Sequence, residues 1–416
     1  MIPGLARLRR WLASPHETAA AEAARAREDG ERRKLREQIR ELSKAVDQQH
    51  KSLASLQRQT AELRGLLHQQ ADFTVEALRR AGWQSDEDAA KQAALQRALG
   101  VVKTDKDVIV GPWTGEVGFE LMYWIPFLTW LAEQGLDGRR MVVISRGGAA
   151  PWYRHLTTRY VDLLDLVTPD EFRTRTAGPK KQFDKRREFE QEIVKQVIRS
   201  LDVPQPEVVH PSVMYRLFAG LWRKRATLDL VEAFTSYREL TIPAAEPANE
   251  TPRGLPADYL VAKFYFSKAF PETQENRAFM VDLLARLSRR TPVVLLSTAV
   301  ELDEHHDFRI AGDSGLFVVD AHAVPRKNLE LQTRIICGAR GFIGTYGGFS
   351  YLAPFYGVRS LSFFSERTKF ESHHLELAER VFSRLRPGAF LALDRRAMEV
   401  VEPAVERWTH HEAVHS

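Results

Sequence analysis

From about Glu31 to Gln70, apolar residues recur at alternating spacings of three and four. Leu35, Leu42, Leu56 and Leu63 share one heptad position, and Ile39, Val46, Leu53 and Leu67 share the other. A stripe this narrow is covered by a partner helix rather than by a globular core. Gln49 and Thr60 interrupt the seam; polar residues at such positions fix register and lower stability. The pattern predicts a coiled coil that joins copies of the chain, against the plainer alternative of a long solvated helix packed on its own domain. Gly65 and Gly82 loosen the later part of this segment.

Beyond Thr104 the pattern changes to short apolar runs separated by helical stretches. Asp107–Gly111 and Met141–Ser145 read as buried strands, with a Gly-containing loop and an amphipathic stretch, Leu121–Gln134, between them. Pro243–Pro256 holds four prolines and almost no bulky apolar residue, which marks a linker between domains. The alternation then restarts. Tyr259–Phe266, Pro292–Ser297, Leu316–Val319, Gly341–Gly344 and Ser360–Phe364 read as strands; Glu275–Arg290, Asn328–Ala339 and Phe349–Tyr356 read as helices. Such alternation predicts parallel sheets flanked by helices.

The expected fold class is therefore α/β: an N-terminal coiled-coil helix followed by two Rossmann-like domains. The boundaries read as a basic, Ala-rich segment over 1–30, coiled coil and connector over 31–103, and a first α/β domain over 104–242. A Pro-rich linker over 243–258, a second α/β domain over 259–400 and a polar tail over 401–416 complete the chain.

At 416 residues the chain has room for two or three domains, at ~100–200 residues each. A hydrophobic fraction of 44% excludes a wholly disordered chain. The longest apolar runs, Tyr259–Phe266 and Pro292–Leu296, fall well short of the ~18 residues of a membrane span. Arg7, Arg9 and Arg10 are followed by Trp11–Ser14 and not by the apolar core of a secretory signal. Cys337 is the only cysteine, so an intrachain disulfide and Cys-rich metal sites are excluded. A reducing, cytoplasmic setting is the expectation. The net charge of +5 is too small to argue for nucleic acid by itself.

Candidate chemistry concentrates where a strand runs into a helix. Gly344, Thr345, Tyr346, Gly347, Gly348, Phe349 and Ser350 form such a junction. Glycines there let backbone amides approach a ligand, and the helix start offers unpaired N–H groups to a phosphate. An ordinary tight turn would use the same residues, and neither the Walker P-loop nor the GxGxxG pattern is present. The stretch GTYGGFSYLAPFYGVRSLSFFS resembles the nucleotide-sugar-binding region of glycosyltransferases of GT-B architecture, heptosyltransferase-like enzymes among them. The resemblance covers about 105–400 in architecture and only short stretches in residues. It implies a donor nucleotide-sugar in the second domain, an acceptor at the first and no metal cofactor. It also implies a basic residue against the donor phosphates in the loop that follows the domain's first strand.

Lys263, Lys268 and Arg277 are the candidates for neutralising the diphosphate; a solvated loop lysine is the commoner fate of such residues. Lys263 stands out because its neighbours Val261, Ala262, Phe264 and Phe266 are apolar, and an ammonium there needs a partner or a ligand. In the first domain the loop Gly111–Glu120 leaves the carboxyl end of the first strand, the edge at which open α/β sheets hold ligands. The resemblance implies an acceptor-activating carboxylate or histidine from this domain. Glu116, between two glycines, is preferred, and Glu120 is the alternative, with a helix-capping role as its plainer reading.

His305–His306 and His373–His374 invite a metal reading, but adjacent histidines point apart on a strand or helix, so a polar loop and a helix face are preferred. Basic residues gather over Arg173–Arg187 and Arg216–Arg225. The second cluster mixes cations with aromatics, which suits peripheral membrane contact or a polyanionic acceptor, while a solvated helix face is the commoner explanation. The reading that unites these features is a glycosyltransferase. It would move a sugar from a nucleotide-sugar to a glycan or lipid-linked acceptor in bacterial surface-polysaccharide assembly. A nucleotide-sugar 2-epimerase and a non-catalytic coiled-coil scaffold that binds a nucleotide-sugar stand as alternatives.

Overall fold

A computed structural model describes residues 86–177, 188–242, 254–297, 306–308, 316–320 and 324–398, together with residues 37, 44, 48, 51 and 55. The chain divides into two units between Gln84 and Ser85. In the first unit the five described residues are helical and exposed; the heptad seam from Leu35 to Leu67 lies outside the described residues. So do residues 243–253 of the expected linker and the tail beyond Met398.

The second unit opens with α1 (Asp86–Val102), followed by β1 (Val108–Val110), α2 (Val117–Phe119) and, after a π-helical turn over Glu120–Trp124, α3 (Ile125–Glu133). Then come β2 (Met141–Ser145), α4 (Ala150–Tyr153), β3 (Tyr160–Asp162), α5 (Pro169–Thr176), α6 (Glu188–Ser200) and β4 (Glu207–Val209). Three short helices follow: α7 (Ser212–Leu217), α8 (Ala219–Trp222) and α9 (Asp229–Glu232). The second half runs β5 (Leu260–Lys263), β6 (Tyr265–Phe266), α10 (Gln274–Ser288), β7 (Val293–Ser297), β8 (His306–Asp307) and β9 (Leu316–Asp320). It ends with α11 (Asn328–Cys337), β10 (Gly341–Thr345), α12 (Gly348–Phe355), β11 (Arg359–Phe364), α13 (Ser372–Leu385) and β12 (Phe390–Asp394).

Both expected sheets are present and both are parallel. The first has four strands in the order β3-β2-β1-β4, the second six in the order β12-β11-β10-β5-β7-β9. Strands buried on both faces read as continuous apolar runs, and the cores show which residue goes where. Val108, Val110, Met141 and Val143 enter one cluster while Ile109, Val142 and Ile144 enter another on the opposite face. Val261, Val294, Leu296 and Phe342 of the second sheet join the same cluster as Val108, so one apolar core runs through both halves.

Several expectations change. The stretch Tyr259–Phe266 is interrupted at Phe264: β5 lies in the parallel sheet, and β6 pairs antiparallel with β8. Leu121–Gln134 is not amphipathic, since every residue from Leu121 to Thr129 is buried. Asp86–Val102, expected in the connector, belongs to the α/β body, where Ala94, Ala98 and Val101 are buried in its core. In Tyr215–Arg225 the aromatics Tyr215 and Phe218 point inward and Trp222 is half-buried, while Arg216, Arg223, Lys224 and Arg225 are exposed. A membrane-facing surface would need those rings outside. Arg173 and Arg175 of the other basic stretch pair with Asp170 and with Glu171 and Glu192, and residues 178–187 lie outside the described set. Among the described residues no helix is long and apolar enough to cross a membrane.

The two halves are joined closely. Leu329 N donates to Gly147 O at 2.6 Å and Trp152 Nε1 to Thr333 Oγ1 at 2.9 Å. The helix α13 packs back on the first half. Its His374 Nδ1 lies 2.6 Å from the Tyr123 hydroxyl, and Arg380 and Arg384 bond Asp229 and Glu232 at 3.1 and 3.2 Å.

Candidate functional site between two glycine loops

The loop after β1 is fixed residue by residue. Gly111 has φ +120°, and a Cβ there would lie 2.4 Å from Ile144 O, so glycine alone fits. Trp113 N donates to Ile144 O at 2.9 Å, Thr114 Oγ1 donates to Glu190 Oε1 at 2.9 Å, and the Arg146 guanidinium donates to Gly115 O. Glu116 comes next. It is half-buried in extended backbone immediately before α2.

The facing loop follows β10. Thr345 is wholly buried, and its hydroxyl braces β6 by accepting from Tyr265 N at 3.1 Å and donating to Tyr265 O at 3.0 Å. Gly344 and Thr345 are therefore strand residues and not part of the turn. A Cβ at Gly344 would meet Lys263 O at 2.1 Å. The turn itself is Tyr346–Gly347. Gly347 has φ +150°, and a Cβ there would fall 1.9 Å from the Tyr265 hydroxyl. The Ser350 hydroxyl closes the start of α12 by accepting from Gly347 N at 3.1 Å and donating to Gly347 O at 2.7 Å.

These two loops touch. A Cβ on Gly348 would lie 2.9 Å from Gly118 N and 2.9 Å from Val117 Cγ1. The carboxyl-end loops of the two sheets thus meet at two glycines, with Glu116 two residues from the contact.

The basic candidates separate. Lys263 is 3% exposed, and its ammonium donates to both Asp307 oxygens at 3.0 Å while lying 4.8 Å from the centre of the Phe349 ring. The buried ammonium thus has a protein partner, one of the two alternatives that its apolar neighbours require. Lys268 is exposed. Arg277, also exposed, bonds Glu272 and lies 4.9 Å from the centre of the Phe266 ring. Neither is brought to the glycine contact by any described bond.

Glu120 is not at a loop tip, and its side chain caps no helix start. It is wholly buried in the π-helical turn, where Oε1 accepts from Ser145 Oγ and from the Tyr153 hydroxyl, each at 2.5 Å. Its Oε2 has no hydrogen-bond partner. Burial pushes its carboxyl up to about 7, against the pull of Arg146 and the two hydroxyls. Asp162 is a second buried carboxylate at the strand ends. It accepts from Gly147 N, Gly148 N, Leu164 N and the Tyr160 hydroxyl, and burial raises its carboxyl above the ordinary value.

Sequence reasoning passed over Arg146, Asp162, Glu190 and His210. Arg146 directly follows the strand Met141–Ser145, which was a usable signal. Glu190 meets Thr114 and His210 only through folding. His373 and His374 join an aromatic cluster, with the His374 ring 4.9 Å from Phe119 and 6.0 Å from Trp222. His305 lies outside the described residues, and His306 pairs with Phe266 through the strand ladder. Among the described residues no group of three or more His, Cys, Asp or Glu side chains could hold a metal ion.

No family model matches the chain, and no curated relative does. Solved structures similar to it are glycosyltransferases. TibC, an iron-containing dodecameric glycosyltransferase of enterotoxigenic E. coli, is 13% identical with a TM-score of 0.35, over 62% of this chain and 58% of that one. The chain thus spans little more than half of TibC. The ADP-heptose lps heptosyltransferase II of E. coli is 11% identical with a TM-score of 0.39, over 70% of this chain and 89% of that one. A glycosyl transferase family 9 protein from Veillonella parvula is 10% identical with a TM-score of 0.35, over 73% and 90%.

Proposed function

We propose that the protein transfers a sugar from a nucleotide-sugar donor to a hydroxyl of a glycan or lipid-linked acceptor in bacterial surface-polysaccharide assembly, with the reaction at the junction of the two glycine loops. The observation that carries this reading is the Gly118–Gly348 contact. It brings a carboxylate-bearing loop of one parallel sheet against the helix start that follows a strand of the other. The start of a helix that directly follows a strand suits a diphosphate. Val117 and Gly118 cover that start, so the donor enters when this loop draws back.

In the transfer, Glu116 takes the acceptor hydroxyl proton as the oxygen attacks the anomeric carbon; the bond from that carbon to the phosphate oxygen breaks, and the nucleoside diphosphate leaves. Glu116 is preferred over Glu120 because Glu120 is enclosed by Ser145, Tyr153 and the π-helical turn. No divalent metal is needed in this scheme. Tyr346, Gly347, Gly348 and Ser350 would line the donor phosphates, with Lys268 and Arg277 available only from the exposed rim. Assembly of copies through the heptad seam also belongs to this reading.

The test is a calorimetric screen against UDP-, GDP-, CMP- and ADP-sugars, followed by transfer assays with the donor that binds. Glu116→Gln should lower turnover by ~10²–10⁴-fold with donor affinity unchanged, in the presence or absence of EDTA. Full activity in that variant would overturn the base. Activity abolished by EDTA would overturn the metal-free scheme. Donor binding without transfer would favour the scaffold.

A further inference from the structure

We propose that Glu190 and His210 form a buried positioning pair that fixes the Glu116 loop through the hydroxyl of Thr114; this rests on the reading of Glu116 as the base. Glu190 lies on α6 and is 1% exposed, and His210 directly follows β4 and is 5% exposed. Ser212 N donates to His210 Nδ1 at 3.1 Å. Nδ1 is therefore the acceptor, Nε2 carries the proton, and it donates to Glu190 Oε2 at 3.1 Å. The other oxygen, Oε1, accepts from Thr114 at 2.9 Å.

One buried carboxylate thus ties together the exits of β1 and β4, which are neighbours in the sheet. Packing alone does not call for an acid here, because burying a carboxylate is unfavourable unless hydrogen bonds hold it. Held in this way, it makes charge-assisted bonds, roughly twice as strong as neutral ones. The lever is short: Thr114 stands two residues before Glu116. Burial chiefly raises the Tyr215 hydroxyl, and Glu116 and Glu190 add to the rise. The tether from Trp113 to Ile144 and that from Gly115 to Arg146 both come from the β2 side. Thr114 ties the loop to α6 through a side chain, beyond the backbone bond from Gly111 N to Val209 O of β4 at 3.0 Å.

The experiment compares full-length wild type, Thr114→Val, Thr114→Ser and Glu190→Gln. Hydrogen exchange is followed in peptides covering residues 113–118, with circular dichroism as the fold control. Thr114→Val keeps the shape and removes the donor; exchange in 113–118 should rise roughly ten- to hundredfold. Thr114→Ser should restore it, and Glu190→Gln should reproduce the loosening from the other side. With the donor found in the screen, Thr114→Val should lower kcat ~10²-fold at unchanged donor KM, with most of the loss recovered in Thr114→Ser. Unchanged exchange in Thr114→Val, equal damage in the Val and Ser variants, or a loosened loop with full kcat would each overturn the proposal. If wild type transfers from no donor, the Glu116 reading fails, and the exchange data alone decide whether the pair fixes the loop.

Discussion

Glu120→Gln tests the electrostatics of the first half most directly. The wild-type carboxyl is wholly buried and pushed from the ordinary 4.5 up to about 7, chiefly by burial. Between those two values the folded protein keeps a proton that the unfolded chain has already released. Stability must therefore fall as pH rises through this window and stay lowered above it. At about 1.4 kcal/mol for each pH unit, the interval amounts to a loss of ~3 kcal/mol. A glutamine cannot ionise, yet its amide oxygen can still accept from Ser145 and Tyr153, so the variant should not show this slope. Asp162, whose carboxyl is also raised by burial, gives both proteins the same trend, and its charge adds to the rise at Glu120. Urea unfolding of both chains from pH 4.5 to 8.5 gives the difference curve. The expected curve moves by ~3 kcal/mol in favour of Glu120→Gln as pH rises to about 7, then levels off. A flat difference would mean that the carboxyl titrates in its ordinary range. A difference of opposite sign would mean that Arg146, the largest opposing influence, outweighs burial.

Two further outcomes follow from packing. Gly347→Ala should cost about 1–3 kcal/mol, because its Cβ would fall 1.9 Å from the Tyr265 hydroxyl. Adding Tyr265→Phe should return part of this, since the nearest ring atom is then 3.2 Å away while the φ of +150° remains; a neutral Gly347→Ala in urea unfolding would contradict the close contact. Lys263→Met should cost about 2–4 kcal/mol by leaving the half-buried Asp307 without its cation, and Lys263→Met with Asp307→Asn should recover most of that. A loss under ~1 kcal/mol for Lys263→Met would show that the ammonium reaches water and does not depend on Asp307.

Much of the second half was legible because parallel strands buried on both faces are continuous apolar runs. Pro292–Ser297, Leu316–Val319 and Ser360–Phe364 were placed within a residue of their observed limits. Short strands with polar members were missed: Tyr160–Asp162, Glu207–Val209 and Phe390–Asp394 each carry a carboxylate. Three to five residues with a polar member are too few for a period to declare itself, and pairing with a neighbour is what makes them strands. The break at Phe264 has the same origin, because only the pairing of Tyr265 and Phe266 with β8 pulls the chain out of the parallel sheet.

The two glycine loops were visible as strand exits. Local chemistry predicts that a Gly-rich segment after a buried strand will turn sharply and present its backbone. What local chemistry does not contain is distance. That Lys263 meets Asp307, that Glu120 is enclosed while Glu116 borders the Gly118–Gly348 contact, and that Glu190 reaches Thr114 are all decided by which strands pair and which helices cover them. By itself the sequence determined the alternation of strands and helices, because burial periodicity is a property of neighbouring residues. Only the tertiary structure decided the partner of each buried charge. Taking a charge out of water is costly, and the group that offsets that cost here lies 44 positions away along the chain for Lys263 and 76 for Thr114 and Glu190.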